Sequence, residues 1–535
     1  MCLVAFLPGF FGLPPLDRDE PRFAQASKQM LETGDFVDIR FQEEARHKKP
    51  IGIYWLQSAA AGVFGPEWRD SIWVYRLPSL AGATVAVLLT FWAGTALFGA
   101  QAAFLAALML ASCILLGVEA RLAKTDAVLL ATVIAAQGAL ARAYLARRDA
   151  PPGLGNAFIF WTALGLGILV KGPLILLVSG ATTLALTISE RRAAWLKTLR
   201  PVSGIPWMLA IVLPWFLAIS IASHGAFFAE SAGHDLLGKI VGGQESHGAP
   251  PGYFLIAFWG TFWPWSLLAA LCVPFAWKHR REPALRFCVA WLVPSWIVFE
   301  LVTTKLPHYI LPVYPALAMI AAAGTLGAFG WTGNAGKGWR FWVPAGIWGA
   351  LTVAAAIAAP ALPVIAGRGF DILAVFAAVL AVILLVAAFM AIRRDQRHAA
   401  VALCLGASLI TAAAVFQRVL PQLDDVWISP RLAAAVAAHG SCPDTQVASA
   451  GYTEPSLVFL LGTDTQLVGG AQAALFLAGG PCRMAIVEHA HREAFDAAAA
   501  TLPTAPQEVA ALRGFNLNGG RRLDFAIFRM PPSLL

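Results

Sequence analysis

Apolar segments long enough to cross a bilayer recur along most of this chain, and they limit its fold more than any motif does. A helix spanning the hydrocarbon core needs about 20 apolar residues. Candidate segments fall near 1–16, 72–98, 101–118, 126–146, 156–171, 172–189, 205–222, 252–277, 285–303, 306–329, 341–366, 370–392 and 399–418. Of 535 residues, 58% are apolar and 13% charged, which is more apolar surface than a soluble domain can bury. The chain therefore reads as a mainly α, polytopic membrane protein. The first segment has no basic stretch ahead of it and runs into PGFFGLPPL instead of a cleavage site. It reads as a membrane segment, not a signal peptide.

Orientation follows from the basic residues of the short loops. Arg147, Arg148, Arg191, Arg192, Lys197, Arg200, Lys278, Arg280, Arg281, Arg286, Lys337, Arg340, Arg393, Arg394 and Arg397 make 15 basic residues in five loops. The alternate connections carry six: Arg121, Lys124, Lys171, Lys239, Lys305 and Arg368. The richer set is expected in the cytoplasm, which places the first loop (17–71), a second large loop (223–251) and the tail outside. That parity requires thirteen spans. The net charge of +8 reflects this asymmetry, so no nucleic-acid partner is expected.

Residues 1–420 form the expected membrane module and 421–535 a separate external domain. In the latter, short apolar runs at 447–451, 465–469, 484–489 and 523–530 alternate with helix-like stretches near 429–438, 455–461, 471–478 and 491–500. That alternation predicts a small α/β domain. It carries no Gly-rich nucleotide fingerprint. Five cysteines (Cys2, Cys113, Cys272, Cys288, Cys404) lie in apolar spans and read as small core hydrophobes. Cys442 and Cys482 lie in the tail, where an external compartment permits a disulfide, and spacing alone leaves bonded and free forms equally open.

The chemistry concentrates at the outer ends of the spans. In the first loop one helix is expected from Pro21 to Gly34 and another from Pro50 through Leu56, with Asp19, Glu20 and Arg22 at the start of the first and Lys48 and Lys49 before the second. Glu119, Arg121, Lys124, Asp126, Lys171, Lys239, His247, Lys305, His308 and Tyr309 fall on the same expected face. Ionisable groups at membrane depth are costly and mark function. Cations so placed can hold a phosphate, and a carboxylate can orient or deprotonate an acceptor. Structural roles compete with this at every position. Asp19 and Glu20 suit a helix N-terminus, Lys48, Lys49 and Lys171 can snorkel to the interface, and His247 can be a loop histidine.

The order of these residues resembles a known family. Asp19-Glu20-Pro21-Arg22-Phe23-Ala24, Met30-Leu31-Glu32-Thr33-Gly34-Asp35-Phe36, Lys49-Pro50, Tyr54-Trp55-Leu56, Ala120-Arg121 with Thr125-Asp126, Lys171-Gly172-Pro173, Leu213-Pro214-Trp215, His247 with Pro251 and Tyr253, and Lys305-Leu306-Pro307-His308-Tyr309 are collinear over 15–325. The pattern resembles the bacterial lipid A aminoarabinose transferases, part of the protein O-mannosyltransferase-like clan. The resemblance implies a GT-C-type fold with about thirteen transmembrane helices and a periplasmic C-terminal α/β domain in a bacterial inner membrane. It also implies a polyprenyl-phosphate sugar donor and a lipid A, core or other envelope acceptor. Carried over, Asp19 is the catalytic carboxylate, Arg22, Lys49, Lys171, Lys239 and Lys305 contact the donor phosphate, and Glu20, Asp126, His247, His308 and Tyr309 support them. The sequence departs from the family at Lys48, where an acidic residue associated with a metal precedes the Lys-Pro pair. No metal or other cofactor is therefore expected. Three other readings stand beside it: a protein or other glycan O-glycosyltransferase of the same clan, with the same chemistry on another acceptor; a polar-lipid transporter, disfavoured by the nearly charge-free span centres; and a non-catalytic assembly protein, which leaves the first-loop carboxylate unexplained.

Overall fold

The computed structural model describes every residue except 17, 147–152, 232–247, 331–337, 441 and 532–535. A short helix α1 (Cys2–Phe6) opens the chain, and the first loop then folds into α2 (Asp19–Thr33) and α3 (Gly52–Phe64). Gly34 ends α2 in the left-handed region (φ 74°), a conformation glycine adopts without strain. Between the two helices runs a small antiparallel hairpin, β1 (Arg40–Phe41) with β2 (Glu44–Ala45), that the sequence does not announce.

Among the described residues nine helices are long and apolar enough to cross a membrane. Thirteen segments were expected, and the shapes of particular elements account for the difference. Within α4 (Ile72–Ser112) two helical stretches meet at Gly99, whose φ of 80° breaks the helical path at the boundary expected between 72–98 and 101–118, and together they make one of the nine. The span expected over 172–189 is a shorter helix, α8 (Leu174–Glu190). The span expected over 252–277 is cut into the helices Tyr253–Thr261, Ser266–Leu271 and Val273–Lys278. Residues 1–16 contribute only the single turn and a half of α1. Helices α5 (Ile114–Glu119), α6 (Asp126–Leu145), α7 (Leu154–Lys171) and α9 (Pro201–Ala222) follow the expected pattern, as do the helices Pro283–Leu301, Trp339–Ile365, Ile372–Arg393 and Arg397–Ala413.

One large apolar core runs through the membrane helices, with Trp265, Trp291 and Tyr314 fully buried in it. Two buried arginines tie the N-terminal segment to that core. Arg76 donates to the carbonyls of Phe10, Leu13 and Pro14 and to both oxygens of Glu20. Arg121 donates to the carbonyls of Ala5, Pro8 and Gly117 and lies over the Phe416 ring, 4.0 Å from its centroid. Arg76 thereby satisfies carbonyls of a non-helical segment, and Arg121 those of Pro8 and of residues near the ends of α1 and α5.

The tail is a five-stranded mixed sheet in the order β4-β3-β5-β7-β6. Strands β3 (Gln446–Ala450), β4 (Gln466–Val468), β5 (Arg483–Glu488) and β7 (Arg521–Arg529) coincide with the four expected runs. β6 (Gln507–Asn516) was not foreseen, because its apolar residues do not alternate cleanly. Parallel β3, β4 and β5 are joined by helices, and antiparallel β7 and β6 complete the sheet. A disulfide joins Cys442 to Cys482 across 40 residues, with Cα atoms 5.4 Å apart. The tail rests on the first loop. Thr463 bonds Gln25 and Glu32 of α2, Gln42 reaches the Thr463 and Thr465 carbonyls, and Phe459 packs edge-on against Tyr75.

Candidate active site

Six parts of the chain converge on one polar cluster. The first turn of α2 supplies Asp19 and Arg22, whose charged groups lie 3.8 Å apart. The end of α5 and the start of α6 supply Glu119, Lys124 and Asp126, all buried. The last residue of α7 supplies Lys171, and the turn beginning at Pro307 supplies His308 and Tyr309. The approach to α3 contributes the buried Arg46, while His47 beside it pairs with Asp38 (2.9 Å) and Glu230 (3.3 Å), and an exposed Lys48 and a half-buried Lys49 follow in the chain.

Acids and bases alternate through this cluster. Lys171 Nζ bonds Asp126 Oδ1 at 2.5 Å, and His308 stands between Glu119 (3.8 Å) and Asp126 (3.9 Å). Lys124 lies 3.8 Å from the Glu119 carboxylate. The Lys171 ammonium is also 5.5 Å from the centroid of the Tyr309 ring. Such alternation is what makes so many buried charges tolerable, since each is paired.

Asp19 differs from the other carboxylates. Burial raises its pKa, but Lys124 above all, then Arg46, Arg22 and His308, pull it below the ordinary aspartate value. It stays ionised in a strongly positive surround while keeping 43% of its side chain accessible. A carboxylate that is accessible, ionised and ringed by cations can take a proton or orient a nucleophile beside an anion.

Not every expected residue reaches the cluster. Glu20 turns away: both its oxygens receive Arg76, and it also accepts the backbone N–H groups of Leu16 and Ala123. It is fully buried and structural. Lys305 donates to the carbonyls of Ala249 and Val302, both at 2.7 Å, and so fastens the end of the second loop beside the Gly248–Thr304 bridge. Lys171 does reach the cluster, where its ammonium is paired with Asp126. Lys239 and His247 lie outside the described residues. Sequence reasoning gave no role to Arg46 or Glu119 and did not single out Lys124 from its neighbours. The available signal was their position at the outer ends of apolar spans. Among the described residues no three His, Cys, Asp or Glu side chains group as metal ligands, and the ammonium of Lys48 stands where a metal-associated acid is found in the family.

A family model described as dolichyl-phosphate-mannose-protein mannosyltransferase matches residues 48–217. The undecaprenyl phosphate-α-4-amino-4-deoxy-L-arabinose arabinosyl transferase of Aeromonas hydrophila is 29% identical over 332 residues, 59% of this chain and 58% of that protein. The enzyme of the same name from Pseudomonas aeruginosa is 30% identical over 334 residues, again 60% of this chain and 58% of that protein. The chain thus spans 58% of the length of these curated relatives in the alignments. The crystal structure of ArnT from Cupriavidus metallidurans bound to undecaprenyl phosphate superposes with a TM-score of 0.78 at 21% identity, covering 98% of this chain and 96% of that one.

The chain is thus similar to aminoarabinose transferases over about three fifths of its length.

Its fold is of the GT-C type. An archaeal oligosaccharyltransferase from Archaeoglobus fulgidus shares that fold more distantly, with a TM-score of 0.54 at 13% identity, covering 95% of this chain and 68% of the other. The chain is a multi-pass membrane protein whose polar cluster gathers at one end of the helices, where the first loop and the tail also pack.

Proposed function

We propose that the protein is a membrane glycosyltransferase that moves a sugar from a polyprenyl phosphate to a cell-envelope acceptor, lipid A or lipopolysaccharide core, on the periplasmic face of the inner membrane. The observation that carries the reading is the half-accessible Asp19 carboxylate held ionised by surrounding cations at the mouth of the helices. The relatives' names and the undecaprenyl phosphate in the ArnT crystal structure support the donor class. The loop charges and the Cys442–Cys482 disulfide support the external placement of the site and tail, since disulfides persist in oxidising compartments.

In this reading an acceptor oxygen attacks the anomeric carbon as the bond from that carbon to the lipid phosphate oxygen breaks. The electron pair leaves with the phosphate. Arg22, Lys49 and Lys124 stabilise the developing charge, where preorganised electrostatics contribute most. Asp19 receives the proton of a hydroxyl acceptor, or orients the groups around an acceptor that is already anionic. Displacement in one step inverts the anomeric centre. Lys171 and His308 position Asp126 and Glu119, which hold the cation frame in place. The reading routes no step through a metal ion, in keeping with Lys48.

Mass spectrometry of lipid A and core from cells with and without the gene, and with Asp19→Asn, tests this. A sugar-sized mass missing from both the deletion and the variant is the expected result. Unchanged envelope glycans in the deletion would refute the transferase reading.

A further inference from the structure

A polar cleft lies between the tail and the segment leading into α2, and the reaction above makes no use of it. It is an open cleft whose cavity volume is about 80 Å³, the rest of its space being continuous with solvent. Its polar groups are Arg18, Ser429, Glu454, Ser456, Asn516 and Asn518.

Sheet topology explains why a cleft forms there. From β3 the chain passes to β4 on one side, then crosses to β5 on the other, and all three strands are parallel. The carboxyl end of β3 is thus a point where the strand order reverses, the place where open α/β sheets leave a crevice for ligands. Glu454 follows β3 at that point. Its two oxygens accept the Asn516 and Asn518 carboxamides at 3.3 and 3.1 Å, and Arg18 lies 3.6 Å away. The Ser429 and Ser456 hydroxyls meet at 2.7 Å on the same wall.

Carboxylate, carboxamide, hydroxyl and guanidinium groups within bonding reach of one another form a donor–acceptor set suited to neighbouring hydroxyls, each of which both donates and accepts. The guanidinium adds attraction for an anionic substituent such as a phosphate. Arg18 directly precedes Asp19, so one end of the cleft adjoins the proposed catalytic carboxylate. We propose that this cleft is the acceptor subsite and binds the phosphorylated saccharide portion of the acceptor, with the tail domain presenting it to Asp19. The proposal rests on the transferase reading and gives the tail a role within it.

The test uses the full-length protein in nanodiscs and a water-soluble probe, a fully deacylated bis-phosphorylated glucosamine disaccharide, which has no acyl chains to insert in the bilayer. Asn518→Ala and Glu454→Gln should each weaken disaccharide binding in calorimetry and raise the KM for intact acceptor roughly tenfold, about one hydrogen bond's worth. The kcat and the binding of undecaprenyl phosphate should not change. Asn518→Trp, which fills the cleft from an exposed turn, should abolish disaccharide binding while leaving donor binding intact, which also shows that the variant is folded. Equal disaccharide binding by wild type and Asn518→Trp would overturn the proposal. So would wild type that glycosylates the intact acceptor yet does not bind the disaccharide. Cleft-dependent disaccharide binding in a protein with no transferase activity would uphold the saccharide site and refute the transferase reading instead.

Discussion

At Asp19 two effects oppose each other. Burial favours the neutral acid, while Lys124, Arg46, Arg22 and His308 favour the carboxylate and prevail. The sign gives a definite pH dependence. A base with a depressed pKa stays competent until the pH falls below the ordinary aspartate value of about 3.9, so the wild-type rate should show no acid limb above that value. Lys124 contributes the largest of the favourable influences. Lys124→Gln should therefore raise the Asp19 pKa and bring an acid limb of kcat upward into the measurable range, which a pH–rate profile of the purified variant reads. An unchanged profile would remove Lys124 from the account. The side chains themselves were visible in the sequence, but their pairings were not. Lys171 and Asp126 are 45 residues apart, and Arg76 and Glu20 are 56 apart. Local spacing carries no information about which cation answers which acid, so only the family resemblance, not the residues themselves, separated Asp19 from its neighbour Glu20.

Among the elements, helices and strands with a clear period were legible, and those shaped by tertiary pairing were not. The helix Pro455–Leu461 and strands β3 and β5 fall on the expected runs because their apolar patterning is regular. Strand β6 escaped because its burial does not alternate, and the β1–β2 hairpin because each of its strands is two residues long. The buried Glu20–Arg76 pair, both side chains fully buried, joins the start of α2 to α4 and to the N-terminal segment. A lone arginine in an apolar span is the signal that could have revealed it. Removing one partner leaves the other charge buried and unpaired. Glu20→Ala should thus destabilise the fold by about 3–5 kcal/mol, seen as a lower midpoint in thermal unfolding monitored by size-exclusion chromatography. Asp19→Asn, on a half-accessible side chain, should leave that midpoint within a degree or two of wild type, a shift of about 0.5 kcal/mol or less.

For the whole molecule, the membrane class followed from hydropathy, as did the break at Gly99 between the segments 72–98 and 101–118, whereas the division of 252–277 into three short helices did not. The orientation proposed here makes a direct prediction. Cysteines introduced at Glu67 and Asn518 should react with an impermeant maleimide on intact cells whose outer membrane has been opened, and one introduced at Arg281 should react only after the inner membrane is lysed. Reaction at Arg281 without lysis would invert the topology. The central claim is that Asp19 acts on a polyprenyl-phosphate sugar held by the cations around it. Its most direct test compares purified wild type and Asp19→Asn in nanodiscs for sugar transfer and for undecaprenyl phosphate binding in the same preparation. The account predicts turnover reduced at least about a hundredfold, the scale of a lost general base, with lipid affinity kept within a few-fold. Transfer at the wild-type rate by Asp19→Asn would contradict it.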